Sequence, residues 1–345
     1  MQLYNKLSAE ERAWMIDQNS QERITLSFYK YFNISNPTIF RNHLYIIWAK
    51  LDVLGRIYVA KEGVNAQLSV SKDNFEKFKT SVNETAPLKN IRLNFAVEHY
   101  SKSFLKLTIK IREKIVADGL DDSSFDVTKI GEHVDAKRFN KILKDKNTIC
   151  IDMRNHYESE IGFFKGAIKP DVDTFRESLN IIDRELEKNG KDKNYLMYCT
   201  GGIRCEKATS YMKEKGFDEV YHLKGGILKY LETVPKTESN WEGDCFVFDQ
   251  RVSVKQDLKQ GEYKQCYACK MPLSKKDYQD KNYVEGVSCL YCHDKLTNEQ
   301  KNRFAQRQKQ ISLSKSRGEG HLGHESPSFK KIKNLKMFLN VMILR

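Results

Sequence analysis

The chain has 345 residues, 40% of them hydrophobic, enough for two or three domains with real cores. Its formal net charge of +13 points to a polyanionic partner, nucleic acid before membrane. No apolar run approaches the ~20 residues that span a bilayer, and Met1–Asn19 lacks the apolar stretch of a signal peptide, so a cytoplasmic, membrane-free protein is expected. In that setting the eight cysteines read as thiols and metal ligands rather than disulfides.

Residues 1–22 form a polar lead-in. Ile24–Phe32, rich in β-branched and aromatic residues, predicts a strand with Leu26, Phe28 and Phe32 on its core face. Tyr29, Lys30 and Tyr31 remain as candidates for RNA contact, because bases stack on exposed aromatics beside a cation. Pro37 opens a helix to Leu51, with Phe40, Leu44, Ile47, Trp48 and Leu51 at helical spacing. Gly55–Ala60 and Val64–Val70 predict a hairpin around Glu62-Gly63. Ser71 caps a second predicted helix, Lys72–Asn83, and Ile91–Val97 and Leu105–Val116 predict two more strands. The order βαββαβ, with the last strand extra, is that of a ferredoxin-like α+β sandwich over 23–117.

Asp118–Ser124 is acidic and polar and predicts a linker, with a second α/β domain over 128–236. Its centre is Cys199-Thr-Gly-Gly-Ile-Arg204, between the apolar Tyr195–Tyr198 and a helical stretch that Gly216 can close. A strand feeding a tight glycine loop and then a helix aims the N–H groups of Thr200, Gly201, Gly202 and Ile203 at one point. The anion most easily placed there is the thiolate of Cys199, with its pKa lowered by that field and by Arg204. Cys199 and Arg204 are therefore the candidate catalytic pair. The competing reading is a buried core cysteine.

The Cys-x4-Arg loop resembles the active loop of rhodanese domains, one residue shorter than the Cys-x5-Arg loop of cysteine phosphatases. Ile149-Cys-Ile-Asp152-Met-Arg154, Glu158 and Gly162-Phe-Phe-Lys-Gly-Ala167 resemble the rhodanese opening, with Phe163 where many rhodaneses carry His. Val220-Tyr-His-Leu-Lys-Gly-Gly226 resembles its closing strand and turn. The resemblance implies a parallel sheet, with Asp152, Arg154 and Glu158 supporting the loop.

Pro235–Gly243 predicts a second linker, before a small module over 244–310. Cys266-x2-Cys269 and Cys289-x2-Cys292 are spaced as the two knuckles of one structural Zn site, four thiolates with no open position. His293 is a neighbour that could replace a ligand. From His293 onward there are twelve Lys or Arg against four Asp or Glu. Lys301, Arg303, Arg307, Lys309, Lys315 and Arg317 are candidates for phosphate contact, with a solvated helix face as the alternative. A basic tail over 311–345 is expected to be poorly ordered.

Taken together, Ser27–Phe32, Lys61-Glu-Gly-Val-Asn-Ala-Gln67, Ile115-Val-Ala-Asp-Gly119, Asp152-Met-Arg-Asn-His-Tyr157 and Cys199–Ala208 resemble the bacterial rhodanese-domain tRNA uridine hydroxylase family from about Arg23 to Gly318. The tail after Gly320 departs from it. The resemblance implies oxygen-dependent conversion of a wobble uridine to 5-hydroxyuridine, with the anticodon region of tRNA as partner and molecular oxygen as co-substrate. A rhodanese-type sulfurtransferase carrying a Cys199 persulfide stays open as an alternative, as does a non-catalytic tRNA-binding module. No oligomeric state is implied.

Uracil C5 is a weak nucleophile, and a thiolate added at C6 places electron density on it, a step suited to Cys199. The oxidant has no visible carrier. The sequence has no flavin or nicotinamide fingerprint and no evident set of two histidines and one carboxylate for iron. Cys205 could resolve an oxidised Cys199 or simply be a buried helix residue.

Overall fold

A computed structural model describes residues 22–95, 104, 106–119, 126–248 and 251–316. In the first domain β1 (Arg23–Tyr31), α1 (Pro37–Lys50), β2 (Leu54–Ala60), β3 (Gly63–Ser71), α2 (Phe75–Glu84), β4 (Asn94–Phe95) and β5 (Leu107–Ile111) follow in order. The sheet runs β4-β1-β3-β2-β5, the expected ferredoxin-like order with an extra strand parallel to β2 at its edge. The Asn36 side chain accepts from the Ile39 N–H and Pro37 fills the first turn, so α1 starts where the sequence places it. Lys72–Asn74 makes a 3₁₀ turn first, and α2 begins only at Phe75.

Strand alternation divides this sheet chemically. Leu26 and Phe28 turn inward to a core with Trp48 and Phe78, where the Trp48 indole donates to Ser81 Oγ at 3.1 Å. The opposite face is polar. Across β1, β3 and β2 it carries the rows Ser27–Gln67–Arg56 and Tyr29–Asn65–Tyr58.

Asp118, read from sequence as part of a linker, is an anchor instead. It is buried between Lys114 Nζ (2.6 Å) and Lys207 Nζ (2.5 Å), because a carboxylate leaves water only when cations meet it. Residues 120–124 of that predicted linker lie outside the described residues, as do lead-in residues 1–21 and the end of the strand predicted to Val97.

The second domain comprises β6 (Glu132–Val134), α3 (Ala136–Leu143), β7 (Thr148–Asp152), α4 (His156–Ser159), β8 (Gly162–Phe164), α5 (Phe175–Asn189), β9 (Asn194–Tyr198), α6 (Ile203–Glu214), β10 (Val220–Leu223) and α7 (Gly226–Thr233). Its sheet is parallel, in the order β6-β10-β9-β7. Central β9 is buried on both faces, Leu196 and Tyr198 in one core, Tyr195 and Met197 in the other. The chain leaves β9 at its carboxyl end, where open α/β sheets place their ligands.

Two boundaries move. β11 (Trp241–Gly243) pairs with β8, so the predicted linker over 235–243 is partly sheet. The hairpin β12 (Cys245–Phe246) and β13 (Ser253–Val254) places Cys245, Val247 and Val254 in the core of Phe139 and Tyr230. The small module therefore starts after Leu258 rather than at 244, since its apolar residues found a larger core upstream. It contains β14 (Lys264–Gln265), β15 (Pro272–Leu273) and α8 (Asn298–Ser316). Of the tail expected to be poorly ordered from 311, residues 311–316 are helical in α8, and the rest lies outside the described residues. No helix among the described residues is long and apolar enough to cross a membrane.

Candidate active site

The loop between β9 and α6 folds back on its own cysteine. The Gly202 N–H donates to Cys199 Sγ at 3.1 Å, and Gly202 adopts φ +103°, a conformation that glycine alone takes readily. The carbonyls of Cys199 and Thr200 accept from Ile227 and Leu228 at the start of α7. A Cβ at Gly226 would stand 2.6 Å from the Cys199 carbonyl oxygen, which explains the glycine pair that ends the closing strand.

Cys199 is 1% exposed. Burial alone would raise its pKa. The Cys205 thiol, the Arg204 guanidinium and the N–H groups of Cys205 and Gly202 outweigh burial and bring it down to about 6. Cys205 is also buried and is pushed the other way, by burial and by the Cys199 charge, so it remains a thiol that donates to its neighbour.

Arg204 does not point free into the site. Its guanidinium reaches both oxygens of Glu158, at 2.6 and 2.8 Å, while the Thr200 hydroxyl donates to the same carboxylate at 3.2 Å. Burial would raise Glu158; Arg204, Arg154 and the Asn155 N–H together hold it below its ordinary value. Arg154 is fully buried, donates to Asp152 and to the carbonyls of Glu158 and Gly162, and stacks beside Trp241 and Tyr198. Asp152, Arg154 and Glu158 thus form a connected brace under the loop.

The first domain supplies the other wall. The Tyr29 hydroxyl donates to Glu206 Oε1 at 3.0 Å, and Tyr31 to the Ile203 carbonyl at 3.3 Å. Lys207 Nζ meets Glu62 at 2.6 Å as well as Asp118. Between the polar face of the first sheet and the loop lies a cavity of about 1660 Å³, larger than the ~300–1,000 Å³ of common small-molecule sites. Cys199, Thr200, Gly201, Ile203 and Arg204 line it, together with Arg56, Arg92, Lys137, Lys141, Lys224 and Lys229. In all, nine Lys or Arg face three Asp or Glu there, and Phe95 and Phe248, 50% and 49% exposed, lie in the same wall.

Of the residues predicted to contact RNA, Tyr29 lines this cavity and the others fall elsewhere. Tyr31 is a domain-seam residue, and neither it nor Lys30 lines the cavity. Arg307 donates to the carbonyls of Tyr267 and Gly286, strapping α8 to the rest of the small module. Lys301, Arg303 and Lys309 are on α8, away from the cavity; the side chain of Lys315 and the whole of Arg317 lie outside the described residues. The cavity cations were missed because they come from separate elements with no common spacing.

The four module cysteines come together, their sulfurs within 4.8 Å of one another, with Cys269–Cys289 at 3.6 Å and Cys289–Cys292 at 3.7 Å. A tetrahedral zinc with ~2.3 Å bonds to sulfur has edges of about 3.8 Å, so these residues fit a structural metal such as zinc. His293 turns to Asp294 and is not a fifth member. A further grouping was not evident in the sequence: His133, Glu206 and His222 bring their ligand atoms within 4.8 Å of one another.

The rhodanese-like domain family matches residues 135–233, so the second domain, with its braced cysteine loop, is a rhodanese domain. The UPF0176 acylphosphatase like domain matches residues 23–115. The chain has the architecture of the tRNA uridine hydroxylase (UPF0176) family. Among solved structures it is similar to a protein of unknown function, a possible tyrosine phosphatase, from Rhodopseudomonas palustris (19% identity, 29% of this chain and 79% of that one, TM-score 0.25). It is also similar to the rhodanese-like domain of an Anabaena protein (21%, 33% and 80%, 0.26) and to a rhodanese-like domain protein from Staphylococcus aureus (24%, 29% and 90%, 0.24).

Proposed function

We propose that the chain is a tRNA-modifying enzyme that hydroxylates the wobble uridine to 5-hydroxyuridine, with the Cys199 thiolate as its nucleophile. The observation that carries this reading is a thiolate with a pKa near 6 in the wall of a cationic, two-domain cavity. Arg56, Arg92 and the lysines of α3 and α7 suit a phosphate backbone, and the exposed rings of Phe95 and Phe248 suit unstacked bases. A single-stranded anticodon loop presents both.

Cys199 Sγ adds to uracil C6, and the electron pair of the C5–C6 bond moves to C5 and into the O4 enolate. Dioxygen supplies the oxygen atom at C5; its second atom leaves as water with two protons and two electrons from an external thiol or other two-electron donor. Loss of the C5 proton and expulsion of the thiolate restore the ring. The thiolate's low pKa makes it both nucleophile and leaving group. Arg204, tied to Glu158, acts on the sulfur through its charge rather than by contact with the base.

The rhodanese match keeps sulfur transfer as the second reading, in which Cys199 carries a persulfide. A tRNA with 5-fluorouridine at the wobble position separates the two. Fluorine cannot leave as a proton does, so C6 addition leaves an adduct on the Cys199 peptide that Cys199→Ser does not form. A stoichiometric persulfide on Cys199 with no adduct would favour sulfur transfer.

A further inference from the structure

We propose that His133, Glu206 and His222 form a mononuclear site for a divalent first-row transition metal, separate from the four-cysteine site.

The fold brings the three together by register. His133 in β6 and His222 in β10 are direct partners across a parallel pair, so both rings project from the same face, with centroids 4.0 Å apart. Glu206, in the first turn of α6, packs over that face and puts Oε1 3.2 Å from His133 Nε2. Bonds of ~2.0–2.2 Å to a shared ion would place neighbouring ligand atoms about 2.8–3.6 Å apart, from octahedral to tetrahedral geometry, so small side-chain adjustments suffice.

The hydrogen bonds around Thr209 set the tautomer. Its hydroxyl donates its one proton to the Glu206 carbonyl at 3.1 Å and accepts from the Gly131 N–H at 3.1 Å. The contact with His222 Nδ1, at 3.4 Å, then needs the ring to donate, which leaves the lone pair on Nε2. That Nε2 is fully buried and has no hydrogen-bond partner. Buried polar atoms of native proteins are rarely left so, and a metal ion is one of the partners that resolves them. An ion pair between His133 and Glu206 alone leaves it unmet.

Two imidazoles and one carboxylate, with no sulfur, select iron(II), manganese(II), cobalt(II) or zinc(II) over calcium or magnesium. Three protein ligands leave positions open, and exposed His133 gives entry from solvent. Tyr29 donates to Glu206 and also lines the Cys199 cavity, so it stands between the two sites. The proposal does not depend on the hydroxylase reading.

The test adds cobalt(II), without oxygen, to the full chain holding zinc in its cysteine site. One further equivalent should bind, with weak visible bands and no thiolate-to-cobalt charge-transfer band. Proton NMR should show two hyperfine-shifted imidazole N–H signals, that of buried His222 persisting longer in D₂O. His133→Ala, at an exposed position, should weaken cobalt binding at least tenfold, and Glu206→Gln should do the same. Three results would overturn the site: no further equivalent, cobalt entering only as zinc is released, or full affinity in both variants.

Discussion

The guanidinium of Arg204 closes on the carboxylate of Glu158 through two parallel bonds, of 2.6 and 2.8 Å, 46 residues apart in the chain. The pair holds the cysteine loop to the brace of Asp152 and Arg154, and it sets a fixed cation beside Cys199. Removing one partner strands the other in the interior. Arg204→Met should cost roughly 3–5 kcal/mol in denaturant unfolding. It should also raise the Cys199 pKa above about 6, as read from the pH dependence of iodoacetamide alkylation. Arg204→Lys keeps the charge without the fork, so it should recover most of the pKa and only part of the stability.

Cys199 should make stability depend on pH in a defined window. Its folded pKa is depressed, to about 6, from an ordinary 9.0. A group depressed in this way contributes fully above its unfolded pKa, and the contribution is lost as pH falls through the folded value. The difference in unfolding free energy between wild type and Cys199→Ser should therefore grow from pH 6 to pH 9, by on the order of 4 kcal/mol. A difference flat across that window would mean that the loop does not hold a thiolate.

The domain seam rests on Lys207, 1% exposed in its side chain and paired with both Glu62 and Asp118. Lys207→Met should leave two buried carboxylates without their shared cation and cost about 3–5 kcal/mol. Limited proteolysis should then cut between the two domains, near 120–125, faster than in wild type. Unchanged stability and cleavage would show that the seam is held by other contacts.

Much of this organisation was legible because its signals are local. The loop Cys199–Arg204 is one contiguous string, the cysteine knuckles have fixed spacing, and the order of the first domain follows from strand and helix periodicity. What was not legible is long-range. His133, Glu206 and His222 meet only once β6 pairs with β10 and α6 folds over them. Tyr31 and Arg307 carry the residue types of an RNA surface, yet spend them on Ile203 and on the carbonyls of Tyr267 and Gly286. Charge and aromaticity in sequence do not say which side chains the fold will consume.

The fully buried core of the small module is Leu273 and three cysteines, with Cys269, Tyr278, Tyr283 and a few other half-buried side chains packed on it, so a metal should supply most of its stability. Strong chelation, or Cys266→Ser, should expose the segment from about Lys264 to Leu296 to protease. The two larger domains, with their own cores, should resist. Release of α8 should accompany this, since Arg307 binds carbonyls of that module. A metal-free module that stays protected would refute a structural metal there.

In the proposed function, Cys199 serves oxygen insertion into a tRNA uridine. The most direct test of that role is mass analysis of wobble nucleosides from cells lacking the chain, complemented with wild type or Cys199→Ser and grown under ¹⁸O₂. Wild type should yield a uridine heavier by one labelled oxygen, and the variant none. Exchange of oxygen for sulfur, no mass change with wild type, or full labelling by Cys199→Ser would contradict that role.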